Sequence, residues 1–170
     1  MNHINTLILL GIVIFAGCKK NDVSFPCNCD KKPLNYAKDS SRIVMPNAFT
    51  PNNDGRNDRF LIIKHENIVG NFELTVYQDG QPVFTTTSSI VGWDGSDNNG
   101  DTIKSGRYYY KINFTTASGN AEELCGCVHL FRFALGGCMK INNPSDYYFH
   151  DQFDRETGEL KYDTGEKFCP

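Results

Sequence analysis

Several things are scarce in this chain. It has four histidines and one tryptophan in 170 residues, which leaves few imidazoles for metal binding or acid–base work. The longest apolar run, residues 7–16, covers about ten residues, well short of the roughly 20 that a membrane-spanning helix needs. There is no basic stripe interleaved with aromatics and the net charge is -3, so nucleic acid is not an expected partner. No segment sustains a helical period. No G-x-S-x-G motif occurs, and no glycine-rich loop lies between a strand and a helix. Paired carboxylates occur only in turn-like loops. No catalytic constellation is expected, and the chain reads as a non-enzyme.

The apolar run fits another role. A signal-peptide core takes about 7–15 residues, and the leader MNHINTLILLGIVIFAGC ends in a small pair before cysteine. This resembles the lipobox of bacterial lipoproteins. The resemblance implies that residues 1–17 are a signal peptide and that Cys18 carries diacylglycerol. The chain would then meet the membrane through an N-terminal lipid, at the outer membrane, facing the periplasm or the outside. Export also bears on the thiols. Of seven cysteines, Cys18 goes to the lipid. Cys27, Cys29, Cys125, Cys127, Cys138 and Cys169 remain, an even set for disulfides. Zinc is disfavoured, because both close pairs are C-x-C and no histidine stands at finger spacing.

Residues 18–41 are polar, charged and without period, and read as a tether. From residue 42, runs rich in β-branched and aromatic residues alternate with Gly, Asn and Asp clusters. The runs are RIVMPNAF, RFLIIK, NFELTVYQ, PVFTTTSSIV, RYYYKINFTTA and ELCGCVHLFRF. Phe72, Leu74 and Val76 share one face, as do Tyr108, Tyr110, Ile112 and Phe114. Asp79-Gly80 reads as a hairpin turn. The expected fold class is all-β, an antiparallel sandwich over residues 42–132. Residues 133–170 form a short extension, aromatic and glycine-punctuated, closed by Cys138 and Cys169. Within it, GELKYDTGEKF reads as a small hairpin and DYYFHDQF as cover for a sheet edge.

Four segments then fall in order: PNAFTPNNDGRNDRF, FELTVYQDGQPVF, WDGSDNNGDTIKSGRYYYKI and CGCVHLFR. Together they resemble the gliding-motility-associated C-terminal domain, the type B sorting domain of type IX secretion. The resemblance covers about residues 43–132. It implies an immunoglobulin-like sandwich and a Bacteroidota-type source. Asn53 stands where that family usually has glycine, and YQDGQPVF is a shortened form of its hairpin. Sorting domains of this kind normally end the chain, whereas here residues 133–170 follow.

The polar loops invite a test for calcium. With Gly55 at position 6 of an EF-hand, Thr50, Asn52 and Asp54 fall at the oxygen positions 1, 3 and 5, but Leu61 falls at 12 and cannot chelate. The register built on Gly100 also fails, with Gly95 at position 1. Turn chemistry is the expectation for both loops, with Asn and Asp bonding to nearby backbone. The alternative is an irregular calcium site shared by Asp54, Asp58, Asp94 and Asp97. Trp93, Gly55 and Gly106 are read as structural positions, with Trp93 in the core. Thr102, in Asp-Thr-Ile, matches an O-glycosylation sequon of exported proteins in that phylum.

Strand geometry narrows the disulfides. Cys125 and Cys127 point to one face of the last sandwich strand, so they cannot bond to each other without breaking it. Cys27 and Cys29 have the same spacing. Side by side, the two pairs form two rungs: Cys27–Cys127 with Cys29–Cys125 if antiparallel, or the crossed assignment if parallel. Cys138–Cys169 closes the extension. The expected function is a non-enzymatic exported lipoprotein, a structural or protein-interaction module at the cell envelope, linked to gliding, adhesion or type IX secretion. One alternative is a calcium-dependent carbohydrate- or ligand-binding module. Another is a type IX sorting signal.

Overall fold

The computed structural model describes Cys27, Cys29 and residues 31–170. The expected signal-peptide segment, Cys18 and the first part of the tether lie outside the described residues. The eight strands are β1 (Leu34–Lys38), β2 (Ser41–Met45), β3 (Ala48–Phe49), β4 (Lys64–Glu66), β5 (Glu73–Gln78), β6 (Gln81–Thr86), β7 (Gly106–Thr115) and β8 (Ala121–Leu130). They form a three-stranded sheet, β1-β2-β4, and a five-stranded sheet, β3-β8-β7-β5-β6. The fold is an all-β sandwich. One pairing is not antiparallel: β3 runs parallel to β8.

The hairpins follow from local chemistry. Asp79 and Gly80 both adopt positive φ, 48° and 78°, between the paired Gln78 and Gln81. That is the two-residue turn whose twist suits flanking strands. The longest ladder joins β7 to β8, from Gly106↔Leu130 to Thr115↔Ala121. It places Tyr108, Tyr110, Ile112 and Phe114 inward, as the alternation predicts, and all four are buried. Phe49, Phe60, Trp93 and the two tyrosines form a continuous aromatic stack, with centroid separations of 5.1–6.2 Å.

Three expectations are corrected. The last part of the tether is strand β1. Leu34 and Tyr36 alternate inward, and Asp39 and Ser40, with φ of 51° and 62°, turn it back onto β2 with Lys38 opposite Ser41. In RFLIIK, only Phe60 pairs early, exchanging backbone hydrogen bonds of 2.8 and 2.9 Å with Trp93, and the strand begins at Lys64. The run PVFTTTSSIV stops at Thr86, because the Thr86 hydroxyl accepts the Ser88 N–H at 3.1 Å and diverts the backbone into a turn.

The extension adds a third layer. Ile43 and Met45 of β2 face the main core. Val44 points the other way and is nevertheless buried, packed with Ile63 against Phe153 and Tyr148. A further cluster joins Ala48 to Met139 and Phe149. Asn47 N and Ala48 N donate to the Tyr148 carbonyl at 3.1 and 3.3 Å, so DYYFHDQF covers the outer edge of β3, as its composition suggests. The extension has two short 3-10 turns, Pro144–Asp146 and His150–Gln152. The expected hairpin in GELKYDTGEKF is absent among the described residues. Phe153↔Leu160 and Met139↔Phe168 are isolated bridges instead, since the segment's backbone pairs with other parts of the extension, Lys161 N and Tyr162 N donating to Gln152 O and Lys167 O accepting from Met139 N.

Candidate functional site

The stretch at residues 45–60 builds one polar loop. Asp58 organises it: Oδ1 accepts the N–H groups of Asn52 and Asn53 at 3.0 and 2.7 Å, and Oδ2 accepts that of Gly55 at 2.8 Å. Asn52 Oδ1 accepts Asp54 N at 3.0 Å, and Asp54 Oδ1 accepts Arg56 N at 2.8 Å. Gly55 has φ of 85°, a conformation that favours glycine. Each carboxylate therefore folds back on its own backbone.

The second loop behaves alike. Trp93 is fully buried and donates from Nε1 to the Ser96 carbonyl at 2.7 Å. Asp94 Oδ1 accepts Ser96 N at 3.0 Å. Asp97 Oδ1 accepts Asn99 N and Asp101 N, both at 2.9 Å. Thr102 is exposed. The structure does not gather Asp54, Asp58, Asp94 and Asp97: among the described residues no group of three or more potential ligands forms a metal cluster. A protein cation joins the two loops instead. Arg132 donates to Ile103 O and Gly95 O at 2.7 Å each and to Pro51 O at 3.3 Å. A guanidinium fork suits several carbonyls at fixed angles.

The first loop is also where the extension docks. Glu166 is buried, and its Oε1 accepts Thr50 Oγ1–H at 2.6 Å and Asn57 Nδ2–H at 2.7 Å. Burial raises its pKa, and the hydrogen bonds from Asn57 and Thr50 pull the other way. Asn57 Oδ1 accepts Asp151 N at 3.0 Å. Asn47 Nδ2 donates to Asp146 O at 3.0 Å, and its Oδ1 accepts Tyr148 N at 2.6 Å. His129 packs against Phe131 and Tyr147, and burial holds its pKa below the ordinary value.

The cysteines pair as Cys27–Cys125, Cys29–Cys127 and Cys138–Cys169, with Cα separations of 5.5, 5.1 and 5.0 Å. Of the two rung assignments, the parallel one is present. Val128 and Leu130 point to the core from the opposite face of β8. Gly106 opens β7, but an added Cβ would meet Tyr108 at an ordinary 3.7–3.9 Å, so nothing there requires glycine. Two further glycines have no room for a side chain. A Cβ at Gly95 would lie 2.6 Å from Leu130 and 2.7 Å from Arg132, and one at Gly126 would lie 2.5 Å from the Tyr110 hydroxyl. Sequence reasoning also passed over Arg132, Asn57 and Glu166. The first had a signal in the motif ending CGCVHLFR. Glu166 had none, because its partners lie more than a hundred residues away.

Among the described residues no helix is long and apolar enough to cross a membrane. No curated protein matches the chain. The family model of the CHU_C type IX secretion signal domain matches residues 43–130, from the first core residue of β2 to the last residue of β8. That span holds both polar loops, the aromatic stack and the β7–β8 ladder, and with it the chain belongs to the CHU_C type IX secretion signal domain family.

Proposed function

We propose that this type IX secretion-related module is an exported, lipid-anchored and non-enzymatic protein, a structural and interaction element at the outer membrane. The family supports export. The observation that carries the finer reading is the docked third layer. Residues 133–170 are stapled by Cys138–Cys169, cover the edge of β3 and fill the first loop with Glu166. A signal domain built into a larger rigid body suits a resident component better than a detachable address. The lipobox-like FAGC at residues 15–18 supplies the anchor, and lipidation with more than one chain gives stable membrane attachment.

Fractionation of the natively expressed protein tests this. The unaltered chain is expected in the membrane fraction with acyl mass on Cys18, and Cys18→Ser in the soluble fraction. An unchanged distribution, with no acyl mass on the N-terminal peptide, overturns the anchored reading.

A further inference from the structure

A groove of about 480 Å³ opens where the extension meets the first loop and the approach to β4. Its cations come from both parts of the molecule, Arg59 from the domain and Arg155 from the extension. Its apolar walls are Leu61, Ile63 and Ile90, the last 79% exposed. Asp58 is the one carboxylate in the lining, and three backbone N–H groups already occupy its two oxygens. Among the described residues, all the ion pairs use lysine. Arg59 donates from Nη1 to Gly92 O at 3.1 Å. Arg155 is exposed, with no hydrogen-bond or ion-pair partner among the described residues. Burial, and then the Arg155 charge, hold the neighbouring His150 below its ordinary pKa. A chain of net charge -3 thus presents two guanidinium groups without carboxylate partners beside aliphatic surface.

The groove also has a direction. A second groove shares His65 and Ser89 with it and continues past Ile68 and Phe72. Both meet β4 at His65, and β4 is an outer strand of its sheet. An outer strand is where an extended chain adds by main-chain pairing, with side-chain pockets supplying selectivity.

We propose that this groove binds an extended peptide segment carrying carboxylates beside aliphatic side chains. Arg59 and Arg155 take the carboxylates, and Leu61, Ile63 and Ile90 take the aliphatic groups. An acidic sugar is the weaker fit, because no Phe, Tyr or Trp lines the first groove to stack on it. The inference names the partner chemistry of the interaction module and rests on that reading. The anchor does not enter its test, so fractionation and binding fail separately.

The test is calorimetric titration of the disulfide-bonded Cys18→Ser protein. The probe is a peptide of about eight residues alternating glutamate and valine, a length that spans a strand addition. A lysine-for-glutamate peptide and a galacturonate trimer are the comparisons. The acidic peptide is expected to bind, more weakly as salt rises. Arg155→Gln and Arg59→Gln should each weaken it roughly three- to tenfold, the size of one ordinary hydrogen bond at a solvent-exposed site. Arg155→Glu should shift preference toward the lysine peptide. Because Arg155 is exposed, its variants are expected to keep the parent's unfolding midpoint. The proposal is overturned by absence of binding at millimolar peptide, by equal binding of the lysine peptide or the galacturonate, or by unchanged affinity in both glutamine variants.

Discussion

In the domain, much of the core sits on strands whose alternation selects it, and the loop carboxylates fold back on their own backbone. Tyr108, Tyr110, Ile112 and Phe114 face inward because β7 has period two, and Asp58 and Asp97 bond to backbone within their own loops. The extension bonds within itself through Cys138–Cys169, Asp151 and Asp154, but its buried side chains also lean on the domain. Phe149 and Phe153 are buried with only short 3-10 turns and isolated bridges around them. Among their partners, Ala48, Val44 and Ile63 belong to the domain, beside Met139 and Phe168 of the extension. The buried Glu166 likewise bonds to Thr50 and Asn57 of the domain. The difference implies an order of dependence. The domain carries the pattern for its own core, and the extension folds only on a surface already formed. Regions of one chain can then open at different free energies.

The disulfides offer the largest test of that order. The rungs Cys27–Cys125 and Cys29–Cys127 each span 98 residues and lie in register. Once one is closed, the second constrains little more of the unfolded chain. In the chain-entropy model, replacing all four cysteines by serine costs about 4–5 kcal/mol, whereas removing one rung costs a small part of that. Cys138–Cys169 spans 31 residues, and its loss costs about 3–4 kcal/mol by the same model. Guanidinium unfolding gives the first pair of values. Limited proteolysis of Cys138→Ser/Cys169→Ser should remove the extension while leaving the β7–β8 core intact. A single rung that costs as much as both, or a core cut as fast as the extension, breaks the comparison.

How much of this was legible follows the same division. The β7–β8 ladder and the Asp79-Gly80 turn were readable because each rests on local spacing, whereas the buried Trp93 was readable from the family resemblance. Strand β1 carried a fainter form of the same signal, Leu34 and Tyr36 alternating before a turn, hidden in a charged segment. The docking of the extension was legible only as composition. Aromatic content said that DYYFHDQF needs cover, but not that Asn47 would fix it through both ends of its amide. Arg132 falls between. Its place at the end of CGCVHLFR was visible, but its three carbonyl partners lie 29 to 81 residues away, where neither period nor spacing reaches.

Arg132 gives the second test, since it belongs to the domain and joins its two loops. Arg132→Met removes the fork and leaves carbonyl oxygens without their charged donor. The expected loss is about 2–3 kcal/mol, in line with hydrogen bonds to a charged group. Arg132→Lys should recover only a fraction, because an ammonium on a flexible stem does not match three fixed carbonyls. Urea midpoints measure both. Added calcium should leave the midpoint of the Met variant unchanged. A rise of several degrees in melting temperature with excess calcium would mean that the emptied space between the loops takes a metal, and the turn reading of Asp54, Asp58, Asp94 and Asp97 would fall.

The smallest effect expected is at Glu166, and it probes the extension's dependence on the domain through pH. Burial raises its pKa above the ordinary 4.5, with the charges of Asp54 and Asp151 adding to the rise and the hydrogen bonds from Asn57 and Thr50 opposing it. A raised folded pKa means that the folded protein holds the proton more tightly than the unfolded chain. Stability from this group is therefore fullest below 4.5 and declines as pH rises through the raised value, leaving a deficit at neutral pH. Glutamine keeps an oxygen to accept from Thr50 and Asn57 and carries no charge to desolvate. Glu166→Gln is expected to match or exceed the parent in stability at pH 7, with the difference shrinking as pH falls toward 4. Glu166→Ala is expected to be about 1–3 kcal/mol less stable than Glu166→Gln at any pH, because it orphans the buried Asn57 amide. Urea unfolding from pH 4 to 7, with extension cleavage followed alongside, compares the three proteins. A parent that gains on the glutamine variant as pH rises would show that the ionised carboxylate itself holds the extension. The docking would then be an electrostatic lock rather than a buried hydrogen-bonded one.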